Sequence, residues 1–180
     1  MSTPRTPHPS RAWRIALRVM YRVIRLLDPL VRSALALGLP GLDGIVRIAT
    51  PGRRSGRTRR TLVTLLRVGD RWYVGHPNGH TGWTRNAEAA GGIDVDPAPA
   101  PIGAAAGDRA TVGVTRLPPG PERTAVIEAT RTQQPFPGNL VYRAAHRHIL
   151  AVGVYFRLEL PSSYAPPPPD EPGAPSGIPA

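Results

Sequence analysis

The first strong pattern in the chain is helical and runs from about Arg11 to Leu37, so we assign residues 11–38 to one amphipathic helix. At 100° per residue its arginines fall within a wedge of about 80°, and they are Arg11, Arg14, Arg18, Arg22, Arg25 and Arg32. Apolar side chains occupy the rest of the wheel, and Pro29 is expected to kink or divide the helix. Such a helix either packs its apolar face on its own domain or lies on an anionic membrane surface.

Short strands separated by turn residues follow this helix. The predicted elements are strands at Ile45–Ala49, Leu62–Val68 and Arg71–Val74, a helix at Trp83–Ala90, strands at Ile93–Val95 and Arg109–Leu117, helices at Pro119–Gln133 and Leu140–His148, and a strand at Ile149–Leu160. Gly69-Asp70 is typical of a two-residue hairpin, and residues 76–82 are predicted to form a loop. Hairpin strands with few helices favour an α+β fold, mainly β, built on a small antiparallel barrel.

The ends of the chain differ in composition from its middle. Residues 1–10 contain three prolines, and residues 161–180 are dominated by proline, glycine, serine and alanine. Such segments lack the apolar side chains that a packed core needs. We therefore expect a disordered lead at 1–10, a barrel domain at 41–160 and a disordered tail at 161–180.

Charge and cysteine content narrow the class of partner. The 180 residues carry a formal net charge of +11, and all 23 basic side chains are arginine. This charge favours an anionic partner: a phosphate-bearing cofactor, an acidic membrane surface or nucleic acid. The absence of cysteine excludes a disulfide, a thiolate metal site and a cysteine nucleophile, and it fits a cytoplasmic location.

The densest charge lies between the first two predicted strands, in the loop from Thr50 to Thr61. Five of the eight residues from Arg53 to Arg60 are arginine, and Gly52 and Gly56 interrupt them. Glycine lets backbone N–H groups converge on one point, and guanidinium groups bind phosphate or carboxylate in a bidentate manner. The loop is therefore a candidate anion site, and a solvated run of charge is the alternative.

Two motifs resemble a known family. Gly52-Arg53-Arg54-Ser55-Gly56 with Arg59, followed by Trp83-x-x-Asn86, resembles the deazaflavin-dependent nitroreductase and quinone reductase family, whose fold is a split β-barrel. The resemblance covers residues 44–95. Arg54 stands where the family often has lysine, and Thr58 where it often has proline.

The resemblance implies a cofactor, a site and a reaction. The cofactor is coenzyme F420, an 8-hydroxy-5-deazaflavin with a phosphate and an oligoglutamate tail. The implied cofactor-binding residues are Arg53, Arg54, Ser55, Gly56, Arg59, His76, Asn78, Gly79 and Trp83. The reduced cofactor would transfer a hydride to a small-molecule acceptor, which is a quinone, a nitro compound or an activated enone. The resemblance identifies no catalytic side chain, although Tyr142 and Tyr155 are available as proton donors.

Several alternatives stay open at this stage. Trp83 is either beside the cofactor or a core tryptophan, and Asn86 is expected to brace its helix. The protein could instead bind the deazaflavin, or another anion, without turnover. A third interpretation is a basic membrane-surface or nucleic-acid-binding protein. Aromatic residues are only 6% of the chain and no stacking motif accompanies the arginines, so we expect no nucleic acid.

His146-x-His148 lacks a third ligand, and we expect no metal. Peripheral contact with the inner face of the cell membrane and a homodimer are further expectations.

Overall fold

The structure is a computed structural model that describes residues 8–26, 33, 44–96, 98–99, 102–103, 108–136 and 138–159. This part of the chain contains five helices and seven strands. The helices are α1 (Arg11–Leu26), α2 (Gly82–Ala90), α3 (Pro121–Gln133), α4 (Gly138–Ala144) and α5 (His146–Val152). The strands are β1 (Ile45–Pro51), β2 (Thr58–Thr64), β3 (Leu66–Val68), β4 (Arg71–His76), β5 (Gly92–Asp96), β6 (Ala110–Arg116) and β7 (Val154–Glu159).

All seven strands form one antiparallel sheet in the order β2-β1-β5-β6-β7-β4-β3. Its two outermost strands, β2 and β3, are consecutive in the chain and are separated only by Leu65. Since one residue cannot span a flat sheet of seven strands, the sheet must curl until its edges approach each other. The predicted fold, an α+β split β-barrel preceded by an amphipathic helix, is confirmed.

The concave side of the sheet encloses one apolar core. Alternate residues of each strand point to this side, as the period of two requires, and Val74 and Phe156 are fully buried there. We call this cluster the inner core, and its buried members are Val46, Ile48, Leu65, Val74, Ala87, Ile93, Val95, Ala98, Ile102, Val112, Val154, Phe156 and Leu158.

The other side of β4 and β7 is covered by helices. Tyr73 and Tyr155 point away from the inner core and pack with residues of α1, α3, α4 and α5. This outer core consists of Leu17, Leu66, Tyr73, Leu117, Val126, Ile127, Tyr142, Ala145, Ile149 and Tyr155. Leu17 of α1 is fully buried in it. Of the two alternatives left open for the first helix, the structure shows the packing of an apolar face on its own domain.

The structure corrects the boundaries of the arginine-rich segment. Residues 50–61 were predicted to form a loop, but β1 continues to Pro51 and β2 already begins at Thr58, because the hairpin ladder extends to the Pro51–Thr58 pair. The loop itself is only residues 52–57. The predicted second strand is also interrupted at Leu65, whose N–H donates to the Gly44 carbonyl at 2.8 Å rather than within the sheet ladder.

Other boundaries also differ from the prediction, and the predicted helix Leu140–His148 is divided between α4 and α5. His76 was predicted to lie in a loop but ends β4, where it pairs with Val154. The predicted strand over 149–160 is wrong in its first part, since α5 continues to Val152 before β7 begins. The apolar run Ile149-Leu150-Ala151-Val152 fits either structure by pattern alone. The helix is favoured because Arg123 donates to the carbonyls of Leu150 and Gly153 at its carboxyl end, at distances of 2.7 to 3.2 Å.

The remaining domain predictions lie outside the described residues. They concern residues 27–32 with the kink at Pro29, most of the segment up to residue 43, the first seven residues of the lead and the tail at 161–180.

Substituting alanine for Gly75 is expected to destabilise the fold. A Cβ at this position would overlap the Tyr155 ring, which the fully packed outer core cannot easily move. Overpacking of this kind costs about 1–3 kcal/mol of unfolding free energy. Urea unfolding measures the change. Gly82→Ala is the matched control, because a Cβ at Gly82 meets nothing within 4 Å. Equal stability of the two variants would contradict the tight contact between Gly75 and Tyr155.

Candidate anion and cofactor site

The loop between β1 and β2 is a compact turn whose backbone is fixed from within. The Gly52 N–H donates to the Arg57 carbonyl at 3.0 Å, while the N–H groups of Ser55 and Gly56 donate to the Gly52 carbonyl at 3.2 and 2.7 Å. Gly56 has a φ of +66°, which disfavours side chains with a Cβ. A Cβ at Gly52 would approach the Arg57 carbonyl to 3.0 Å. Both glycines are therefore required by the shape of this turn.

Five arginines surround the turn without neutralisation by acidic side chains. They are Arg53, Arg54, Arg57, Arg59 and Arg60, and all five are exposed. Within the described part of the chain none of them forms an ion pair with a carboxylate. A concentration of unpaired guanidinium groups gives this end of the hairpin a positive potential that attracts anions.

The register of the hairpin separates the two strand arginines. Arg59 pairs with Thr50, and Arg60 pairs with Ala49. Directly paired residues project to the same face, and successive residues alternate. Arg59 therefore lies on the side of Thr50, and Arg60 lies on the opposite side. Thr50 is almost fully buried, and its hydroxyl has no hydrogen-bond partner in the described structure.

Asn86 connects the turn to α2. Its Oδ1 accepts a hydrogen bond from the Arg53 N–H at 3.4 Å, and its side chain is only 8% exposed. This contact brings together the two sequence motifs, which are 33 residues apart in the chain. Asn86 thus braces the arginine turn, while the expectation that it braces its own helix stays a prediction.

Trp83 lies on the same helix as Asn86. It is partly buried and packs against the inner core, with its ring centroid 6.3 Å from that of Phe156. Trp83 therefore joins α2 to the interior of the barrel, a contact that fits the core reading of this tryptophan. Its assignment to the cofactor stays a prediction.

The remaining site residues form a second group around the turn that follows β4. His76 accepts the Asn78 N–H on its Nδ1 at 3.2 Å, and Gly79 has a φ of +79°. The sheet register places this turn at the same end of the barrel as the arginine turn, because antiparallel pairing aligns the end of β1, the start of β5, the end of β6, the start of β7 and the end of β4. The fold thus brings both groups of predicted residues to one end of the sheet.

The side chain of Asn78 is engaged in holding helices. Its Nδ2 donates to the Arg14 carbonyl of α1 at 3.0 Å, and its Oδ1 lies 3.1 Å from His148 Nε2. His148 Nδ1 accepts the Ser10 N–H at 3.1 Å, so the ring proton of neutral His148 is on Nε2 and is donated to Asn78. Burial lowers the pKa of His148, with the charge of Arg14 acting in the same direction. The side chain of Asn78 therefore has a structural role.

Tyr21 of α1 is a neighbour that the sequence did not identify. Its ring centroid lies 4.5 Å from that of His76. His76 is largely enclosed, and burial lowers its pKa to about 4, although a hydrogen bond with the Gly79 backbone opposes this shift. His76 is consequently neutral at physiological pH. The only feature of the sequence that points to Tyr21 is its place on the helical wheel, which lies outside the arc occupied by the arginines of α1.

Tyr142 and Tyr155 were considered as proton donors, and both lie in the outer core. The Tyr142 hydroxyl is 2.9 Å from the Tyr21 hydroxyl, and the Tyr155 hydroxyl is buried without a partner in the described structure. Burial is the main cause that raises the pKa of all three tyrosines, to about 12 in the case of Tyr21. These hydroxyls stay protonated, and the contact between those of Tyr21 and Tyr142 joins α1 to α4.

The two histidines considered for metal binding have other partners. His146 Nε2 lies 2.6 Å from Glu128 Oε1, and His148 belongs to the Asn78 network. No group of three potential metal ligands occurs among the residues that the structure describes.

Comparisons with known proteins add little to this geometry. The sequence matches no protein family and no curated protein. It is similar to a solved structure of a protein of unknown function from Agrobacterium tumefaciens strain C58, with 19% identity over 89% of this chain and a TM-score of 0.45. A second solved structure, described as a domain-swapped dimer, has 17% identity over 78% of this chain and 98% of its own, with a TM-score of 0.43. The chain spans only 57% of the Agrobacterium protein.

Removing the Asn86 side chain is expected to loosen the arginine turn. Asn86→Ala deletes the acceptor for the Arg53 N–H, so this amide should exchange with solvent faster, and unfolding free energy should fall by about 0.5–1.5 kcal/mol. Hydrogen exchange over residues 53–57 measures the first effect and urea unfolding the second. Arg85→Ala is the matched control on the exposed side of α2. Unchanged exchange in Asn86→Ala would show that the turn does not depend on this contact.

Stability is expected to fall in mild acid because of His76. Between its ordinary pKa of 6.5 and the folded value of about 4, the unfolded chain binds a proton that the folded chain does not. The stability that depends on a neutral His76 is fully present above pH 6.5 and is lost as the pH falls towards 4. The total loss in unfolding free energy is roughly 3 kcal/mol. His76→Gln retains an acceptor and should show a shallower decline over this range in urea unfolding. An equal fall in the unfolding free energy of the two proteins over this pH range would show that His76 is not the group responsible.

Proposed function

We propose that this protein is an oxidoreductase that transfers a hydride from reduced coenzyme F420 to a small-molecule acceptor, either a quinone, a nitro compound or an activated enone. One observation carries the proposal: a turn of unpaired arginines is fixed by Asn86 to the helix that bears Trp83. The two motifs that resemble the deazaflavin family are thereby parts of one local structure, although they are separate in sequence.

The residues around the turn suit the anionic groups of this cofactor. Arg53, Arg54 and Arg59 would hold the phosphate or the oligoglutamate tail, with the Ser55 hydroxyl as a further donor. Guanidinium groups without carboxylate partners are free to accept such a ligand. When bound, the deazaflavin supplies the hydride, and the protein supplies orientation and exclusion of water.

The His76–Gly79 turn would contribute shape rather than charge. His76 is neutral, and Asn78 is committed to α1 and α5. A neutral, enclosed surface suits the uncharged part of a ring system, since it does not compete with the arginine turn for the anionic groups. Trp83 offers an aromatic surface from α2 at the same end of the barrel.

A non-catalytic binding protein for the same cofactor, or for another anion, is the second candidate. It is favoured by the position of Tyr142 and Tyr155, which lie in the outer core and so do not offer a proton to an acceptor. Cofactor binding combined with oxidation of the reduced cofactor by a quinone or nitro compound would decide against this candidate.

The proposal includes a location on the inner face of the cell membrane, where a lipid-soluble quinone would be available. A homodimer also stays an expectation. No helix in the described segments is both long enough and apolar enough to cross a bilayer.

Binding of coenzyme F420 should depend on the arginine turn. The double variant Arg53→Ala/Arg54→Ala removes two charge-assisted contacts and should bind the cofactor about tenfold or more weakly. Quenching of tryptophan fluorescence during titration measures the affinity, since the chain has three tryptophans.

The double variant Arg143→Ala/Arg147→Ala is the matched control, because it removes the same charge from exposed sites on α4 and α5. It should bind as the unmodified protein does. Equally weakened cofactor binding in the two double variants would indicate general electrostatic attraction instead of a specific site. No binding by the unmodified protein would reject the cofactor and leave another anion as the ligand.

A further inference from the structure

Helix α1 has a second apolar face, which points away from the barrel. Four of its large apolar side chains are exposed, namely Ile15 (53%), Val19 (53%), Val23 (49%) and Leu26 (79%). Their spacing of four, four and three residues aligns them in one stripe on the helix surface. This stripe, which we call the outer stripe, is distinct from the face that buries Leu17.

Arginines flank the outer stripe along the length of the helix. Arg11, Arg14, Arg18 and Arg22 are exposed, and α1 contains no acidic residue. None of these four guanidinium groups forms an ion pair with a carboxylate in the described part of the chain. The exposed surface of α1 therefore combines an apolar stripe with a parallel row of positive charge.

The helix is fastened to the barrel on its other side. Besides the burial of Leu17, its polar connections are from Ser10 to His148, from the Arg14 carbonyl to Asn78, and between the hydroxyls of Tyr21 and Tyr142 at 2.9 Å. These contacts leave the outer stripe open to a partner. Binding at the stripe therefore does not require the helix to leave its place on the outer core.

We propose that the outer stripe of α1 docks on an anionic lipid bilayer while the helix stays packed on the barrel. Apolar side chains on one strip and arginines beside it are what an interfacial helix requires, because acyl chains receive the first and lipid phosphates neutralise the second. A second copy of the chain fits less well. Two α1 helices placed stripe to stripe would bring two rows of arginine together without an acidic residue on either helix.

This surface also gives an orientation. Because α1 contacts Asn78 and His76 on its barrel side, docking would hold the His76–Gly79 turn about 10 Å, one helix diameter, from the bilayer surface. The consequence for a lipid-soluble acceptor rests on the proposed function. The docking itself does not, and it is measurable without cofactor, so either idea can fail alone.

The test is sedimentation of the full chain with vesicles of phosphatidylglycerol and phosphatidylcholine, compared with vesicles of phosphatidylcholine alone. We expect binding to the anionic vesicles that weakens as salt is raised. The triple variant Ile15→Gln/Val19→Gln/Val23→Gln should bind about tenfold or more weakly, since three apolar side chains no longer enter the interface.

The matched control is Phe136→Gln/Leu140→Gln, which removes exposed apolar side chains at another place, since Phe136 is 79% and Leu140 51% exposed. It should bind vesicles as the unmodified protein does. Equal binding by the triple variant would overturn the proposal. So would a fall in the mass of the protein in solution caused by the triple variant, because the stripe would then be an interface between copies of the chain.

A second measurement covers the case in which the triple variant does not fold. The chain has no cysteine, so Val19→Cys can be labelled uniquely with a fluorophore that responds to polarity. Anionic vesicles should shift its emission to the blue, while the same label at Leu140→Cys should not respond. No response at position 19, or an equal response at both positions, would contradict docking through the outer stripe.

Discussion

The structure depends on one sheet that is buried on both sides over part of its width. In β4 and β7, successive side chains alternate between two separate cores. Val74 and Phe156 enter the inner core, whereas Tyr73 and Tyr155 enter the outer core. Since each face must be covered to remove apolar surface from water, these two strands fix the position of the helices as well as the curvature of the barrel. The close contact of the Tyr155 ring with Gly75 shows how little freedom this double packing leaves.

Charge is distributed in a way that follows from this packing. The cores use the apolar side chains, and the arginines remain at the places that no core covers, which are the first hairpin turn and the exposed side of α1. Most arginines elsewhere in the described segments have a partner, and the exceptions, Arg85 and Arg147, are single exposed side chains. Arg157 pairs with Glu122 and Glu159, and Arg123 is bound to carbonyls at the end of α5. The clustered arginines of the hairpin turn and of α1 are therefore the chemically informative ones, because nothing in the described fold accounts for them.

The sequence predicted the fold class, the positions of most strands and the existence of the arginine turn, because each depends on local patterns. The Gly69-Asp70 hairpin and the end of α2 at Gly91 follow from turn chemistry alone, and both glycines have a positive φ. The helical part of Ile149–Val152 was missed because a short apolar run has no period of its own, and its cap, Arg123, is 27 residues away from Leu150. Long-range pairs of this kind are invisible in a single sequence. The same holds for the candidate site, where the sequence identified the two motifs but not the hydrogen bond from Arg53 to Asn86, nor the helix that reaches His76.

Two charged surfaces, the arginine turn and the exposed side of α1, are attached to one end of the barrel. The arginine turn follows β1 and is held by α2. Helix α1 is held by His148 and by Asn78, which follows β4. β1 and β4 finish at the same end of the barrel. A ligand with an anionic tail and a neutral ring would find the charges at the first place and the neutral His76 at the second. If α1 also rests on lipid, the turn around the neutral His76 is attached to the helix that meets the membrane. Hydride transfer from a charged, water-soluble cofactor to a membrane-dissolved acceptor would require the neutral ring of the cofactor on the membrane side, and the attachment of the His76 turn to α1 is consistent with that requirement.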